Sequence, residues 1–232
     1  NTELNQAYVR YAPGSKTQFT LGRQRLQWDN QRFFGNVGWR QNEQTFDALD
    51  IQHSFGNGTK LRYDYLDRAQ RINGADNPNQ DLARYRLNTH LLSAGHALGP
   101  GSLSGYAHFI DNETLPLSSH RNLGLRYTAK KDAPDGIGWL ISAEYAKQDS
   151  YADGADKIDA DYFLLEGGLV WKAGTFKAGW EQLGGDGSYG FATGSDFEAF
   201  DTAWVAAQGV EHPVPFGPLP APPGPLPSGW VG

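Results

Sequence analysis

Residues 24–47 read QRLQWDNQRFFGNVGWRQNEQTFD. This stretch is too polar and too rich in Gly and Asn for a buried strand. It is also too dense in Arg25, Arg32, Arg40, Trp28, Trp39, Phe33 and Phe34 for an idle linker. Runs of alternating polarity flank it at 17–26 and 45–55, so it reads as a long loop between two strands. Loops longer than about 12–15 residues are usually functional or disordered. Arginine and aromatic side chains at this density favour an ordered loop folded back on the protein.

Working outward, the period-2 pattern of a strand recurs about ten times. Residues 4–11 set Gln6, Tyr8 and Arg10 against Ala7, Val9 and Tyr11. Residues 17–26 carry Phe19 and Leu21, and the same parity then turns polar at Arg23 and Arg25, which predicts a membrane edge or a bulge at Gly22. Residues 59–68 are the clearest case, with Leu61, Tyr63 and Tyr65 against Arg62, Asp64, Leu66 and Arg68. Further strands are read over 45–55, 86–97, 102–111, 121–129, 137–148, 159–171 and 175–182. Gly56-Asn57-Gly58 and Gly99-Pro100-Gly101 are turn sequences. The connections alternate between short (13–16, 56–58, 98–101, 130–136, 172–174) and long (27–44, 69–85, 112–120, 149–158, 183 onward). Such sorting predicts an all-β, antiparallel, up-and-down transmembrane barrel of about ten or more strands, of the outer-membrane type.

Composition agrees. The 232 residues are 39% hydrophobic, with 29 Gly, 7 Trp, 11 Tyr and 12 Phe, and mean hydropathy is −0.57. No apolar run approaches the roughly 18 residues of a spanning helix, but barrel strands need only about 9–11. With no Cys there is no disulfide framework. The lack of Met suggests a processed or excised chain whose signal peptide is gone. A net charge of −6 argues against nucleic acid as a partner. Aromatics gather near strand ends (Tyr11, Phe55, Tyr65, Tyr127, Tyr145, Trp171, Trp180), as in the girdles at a lipid interface. Outer-membrane lipid is therefore the expected surrounding.

After Gly194 the composition changes, and eight of the 13 prolines fall within 213–227. Proline cannot donate to a ladder, so we divide the chain into a barrel, 1–191, and an atypical Pro/Gly-rich tail, 192–232.

The segment 21–48, LGRQRLQWDNQRFFGNVGWRQNEQTFDA, resembles the alginate export family of outer-membrane β-barrels. So do NTELNQAYVRY at 1–11, YDYLDR at 63–68, DADYFLLEGGL at 159–169 and AGWEQLGGDGSYGF at 178–191. The resemblance covers about residues 1–191. It implies a porin-like channel in which an arginine-lined constriction passes an anionic exopolysaccharide or small anionic solutes. Barrels of that family are longer, and nothing after Phe191 matches. Ten strands make a narrow barrel, since open aqueous channels appear near about 16–18 strands. A partial barrel or a mostly plugged pore is expected.

The candidate pathway residues are Arg10, Arg62, Asp64, Arg68, Arg126, Glu144, Glu166, Lys177 and Glu181 on inward faces, with Arg25, Arg32 and Arg40 in the loop. Arginine stays charged and grips carboxylates through a planar fork, so rings of it would favour anions. The plainer alternative is a ladder of acids and bases that pair with one another. No cofactor or metal is expected. Gly185–Gly190 fits a dinucleotide fingerprint only as a loop without a βαβ unit, and Asp153, Asp156, Asp159 and Asp161 read as a solvated acidic loop rather than a calcium site. Two other functions stay open: a membrane-embedded hydrolase pairing Ser104 or Ser142 with His108 or His90, and a soluble sugar-binding β-sandwich.

Overall fold

The structure is a computed structural model and describes residues 4–29, 31–36, 43–133, 136–172 and 174–184. Arg40, Trp39, the 185–190 motif and the Pro-rich tail lie outside the described residues. Ten strands follow in chain order: β1 (Ala7–Tyr11), β2 (Thr17–Gln24), β3 (Thr45–Ser54), β4 (Lys60–Gln70), β5 (Arg84–Leu98), β6 (Gly101–Ile110), β7 (His120–Lys131), β8 (Gly138–Ser150), β9 (Asp159–Trp171) and β10 (Gly174–Leu183). Each pairs antiparallel with the next, giving one ten-stranded sheet in sequence order. The short turns lie at one end and the long connections at the other, as the alternation predicts. A four-residue helix, α1 (Gln80–Ala83), is held in the β4–β5 connection.

The two faces of the sheet differ sharply. On β9, Phe163, Leu165, Gly167, Leu169 and Trp171 share the outer parity. Leu165 and Leu169 are 46% and 48% exposed, with no second layer over them. At about 3.4 Å per residue and a tilt near 40°, this stripe is roughly 20 Å tall, close to the ~25 Å apolar band of a membrane barrel. Leu21, Leu61, Leu92, Leu123, Leu125, Ile141, Phe176 and Trp180 extend it across the sheet. Above it, toward the long connections, the same parity becomes charged at Arg23, Asp47, Arg121, Lys147, Asp149, Asp159 and Asp161.

The inner face is packed. Phe46, Leu66, Leu91, Tyr106, Ile110, Ala146 and Tyr162 from the strands join Leu26, Trp28, Phe33 and Phe34 from the β2–β3 loop in one cluster. A single loop touches strands from β3 to β9, so the sheet curls around it. Gly124 serves this packing: a Cβ there would meet the Tyr106 ring at 2.1 Å, and its absence lets Tyr106 lie across β7 and reach β8.

The register shifts twice, between β3 and β4, where Asp67 is the extra residue of β4, and between β4 and β5. The first shift corrects the sequence reading of Arg68. Counting by twos places Arg68 with Arg62 and Asp64, but the buried parity resumes at Ala69. Arg68 is instead opposite Asp47, in the outer charged rim beside Arg23, which donates to Asp47 at 2.8 Å. An extra residue in one strand reverses every side chain beyond it.

Candidate functional site: the inner face and its infolded loop

The loop folds inward because its apolar side chains have nowhere else to leave water. Trp28 and Phe34 are 3% and 0% exposed, and aromatic side chains gain more than most from such burial. Local bonds fix its shape. Trp28 N–H donates to Phe34 O at 3.2 Å, Gln31 N–H to Trp28 O at 2.7 Å, and Gln44 N–H to Asn36 O at 3.1 Å. Gln27 Nε2 donates to Asn36 Oδ1 at 2.7 Å. Asp29 and Gln31 take φ of 48° and 60°, a left-handed conformation uncommon outside glycine and enriched in Asp.

The loop docks on charged anchors. Trp28 Nε1–H donates to Asp64. The Arg62 guanidinium lies over the Trp28 ring at 4.7 Å and donates to Gln27 O at 2.7 Å. It also pairs with Asp50 at 2.9 Å and Asp64 at 3.0 Å, both carboxylates almost wholly buried. Farther round the wall, Arg126 pairs with Glu144 at 2.7 Å, and Tyr106 OH donates to the other Glu144 oxygen at 2.7 Å. On the far side, Arg32 pairs with Glu181 of β10, which also accepts from Tyr162 OH at 2.7 Å. Lys177 pairs with Glu166 at 2.9 Å.

Most of the expected pathway residues therefore do share the inner face, and they are brought together as ion pairs. Arg10 is on that face too, opposite Thr20 and over the Tyr8 ring at 5.4 Å. Arg25 stays at the base of the loop, where it pairs with Glu43; that carboxylate holds the guanidinium pKa above its ordinary value. The sequence reading missed Asp50, which is reached through Arg62, and Asp29. It also missed Arg71, which is buried over the Tyr85 ring at 4.6 Å and donates to Gln44 at 3.3 Å. Asp50 follows from simple alternation with Leu49 and Ile51 on β3; Asp29 and Arg71 leave no periodic signal.

His108 sits inside the aromatic cluster, stacked on Tyr106 at 4.8 Å and edge-on to Trp28 at 5.3 Å. Neither of its ring nitrogens has a hydrogen-bond partner among the described residues. No hydrogen bond joins Ser104 or Ser142 to His90 or His108 among the described residues. Ser104 and His108 share a face but are four residues apart along one strand, His90 is on the outer parity and bonds Tyr63 at 2.8 Å, and Ser104 Oγ donates to Arg126 O at 3.5 Å. Among the described residues no group of three or more His, Asp or Glu is placed to hold a metal ion.

No protein-family model matches the chain, and no curated protein sequence does. Solved structures do. Pseudomonas aeruginosa OccD3 (OpdP) superposes with a TM-score of 0.64 at 16% identity, over 82% of this chain and 46% of that one. Pseudomonas aeruginosa OccK8 (OprE) gives 0.62 at 14%, over 82% and 53%. Acinetobacter baumannii OccAB4 gives 0.59 at 15%, over 78% and 45%. These are outer-membrane porins, and the chain spans about half the length of each. The fold is that of an outer-membrane porin barrel, about half of which this chain spans.

Proposed function

We propose that the chain forms the wall of a porin-like channel in a bacterial outer membrane and passes small anionic solutes. The resemblance to the alginate export family names an acidic exopolysaccharide as the larger cargo of the same class. One observation carries the reading: Arg62 and Arg126 are held on the inner wall by buried carboxylates beside a loop that narrows the lumen. Guanidiniums fixed in this way keep donors for a passing carboxylate, and the wall acids keep them from being stranded in a low dielectric between passages. The outer apolar stripe comes within about 5 Å of the height of the apolar band of a membrane barrel, and an uncovered face of that size is unsuited to a soluble sandwich.

A second reading, preference for cations, draws on Asp29, Asp50, Asp64 and Glu144 around the same two guanidiniums. Single-channel recording of the purified protein in a planar bilayer separates the two. Anion-selective steps that a polyuronate blocks, and that Arg62→Gln with Arg126→Gln weakens, support the first. A reversal potential of cationic sign supports the second, and folded protein without steps removes the channel reading.

A further inference from the structure

The carboxylates around Arg62 and Arg126 fall into two kinds. Asp50, Asp64 and Glu144 are sealed into the wall and bonded to the guanidiniums directly. Asp29 is on the loop, is exposed, and makes no ion pair or hydrogen bond among the described residues. Its position is nonetheless fixed. The preceding residue, Trp28, is clamped between Arg62 and Asp64, and the turn is closed by the Gln31–Trp28 bond. Asp29 itself is held at φ 48°. From there it stands beside Arg62, which covers the ring of the preceding Trp28 and donates to Gln27 O. Although it faces water, the protein surface around it raises its carboxyl above the ordinary range, and the fields of Arg126 and Arg62 oppose that rise.

We propose that Asp29 is a specificity-setting charge, which screens Arg62 and Arg126 from incoming carboxylates and so weakens the hold of the channel on anionic solutes. The proposal rests on the anionic-solute reading above. A passage needs binding strong enough to admit a solute and weak enough to release it. A carboxylate carried on the loop sets that balance where the wall carboxylates, already committed to their pairs, do not.

Asp29→Asn and Asp29→Gly both remove the charge and both accept the left-handed backbone, so neither need disturb the loop. The test is calorimetric titration of the full, detergent-folded chain with glucuronate, with glucose as the neutral control. Both variants are expected to bind glucuronate roughly tenfold more tightly than the parent protein, with glucose unchanged. Equal or weaker binding in the variants, a gain in only one of them, or no binding in any of the three proteins overturns the proposal. A gain in both, with no conductance in the bilayer, keeps Asp29 as the charge that sets carboxylate affinity and discards transport alone.

Discussion

Two long loops rise from the same end of the sheet, and they go to opposite places. The β2–β3 loop turns into the concave face and buries Trp28, Phe33 and Phe34. The β4–β5 connection, residues 71–83, stays outside; Asn73, Asn77 and Gln80 bond nearby backbone, and Asn79 caps the helix α1 through Asp81 N–H. The inner loop is the longer, 20 residues against 13, but both exceed what a tight turn needs and the anchoring strands are neighbours, so the deciding difference is side-chain chemistry. Aromatics leave water where a concave apolar wall awaits them. Short amides satisfy their own backbone and gain nothing by burial. The two loops meet at Arg71, which begins the outer loop and bonds Gln44 at the end of the inner one.

The largest expected effect breaks the inner loop. Phe34→Ala should cost about 3–5 kcal/mol, read as a fall in the denaturant midpoint of detergent-folded protein together with new protease cleavage within 25–44. Unchanged stability would mean that the loop is not packed in the lumen. Trp28→Phe keeps an aromatic, though smaller, side chain and removes the N–H that Asp64 accepts, with an expected cost of about 1–3 kcal/mol; it should also raise the open conductance if the loop narrows the passage. An unaltered conductance with lowered stability would reduce Trp28 to a packing residue.

In the outer loop, Asn79→Ala removes a helix cap and should cost about 0.5–1 kcal/mol, with no change in conductance. A conductance change there would erase the contrast between the loops. The smallest effect has the opposite sign and depends on pH. Because Asp29 in the folded protein keeps its proton to a higher pH than in the unfolded chain, stability falls as pH rises through that window. Asp29→Asn escapes the loss, so its melting temperature should exceed the parent's near neutral pH. The two should converge below about pH 4, where the unfolded carboxyl is also protonated. A gain that persists in acid would assign the effect to backbone relief rather than charge.

The sequence carried the strands well because each was written in a period of two with turns between. All ten appear, with ends displaced by a few residues, and β9 spans 159–171 as read. The packing of the described part of the 24–47 loop was also legible, from Trp28, Phe33 and Phe34. Arg68 was misplaced because a bulge is one residue of backbone geometry, and it leaves no mark in the polarity of Asp67-Arg68. Partnerships were harder still. Arg32 and Glu181 are 149 positions apart, and only the curl of the sheet brings them together.

What the chain alone determined is therefore the local grammar: which segments extend, which face of each is apolar, which loop is aromatic. Those follow from interactions between residues two apart and from the solubility of side chains. The tertiary structure decided which acids neutralise which arginines, that Asp29 stands beside Arg62 with no ion pair among the described residues, and that Trp28 is locked onto Asp64. Those depend on a sheet bending round a loop, and the distances that govern charge are fixed by that bend rather than by position along the chain.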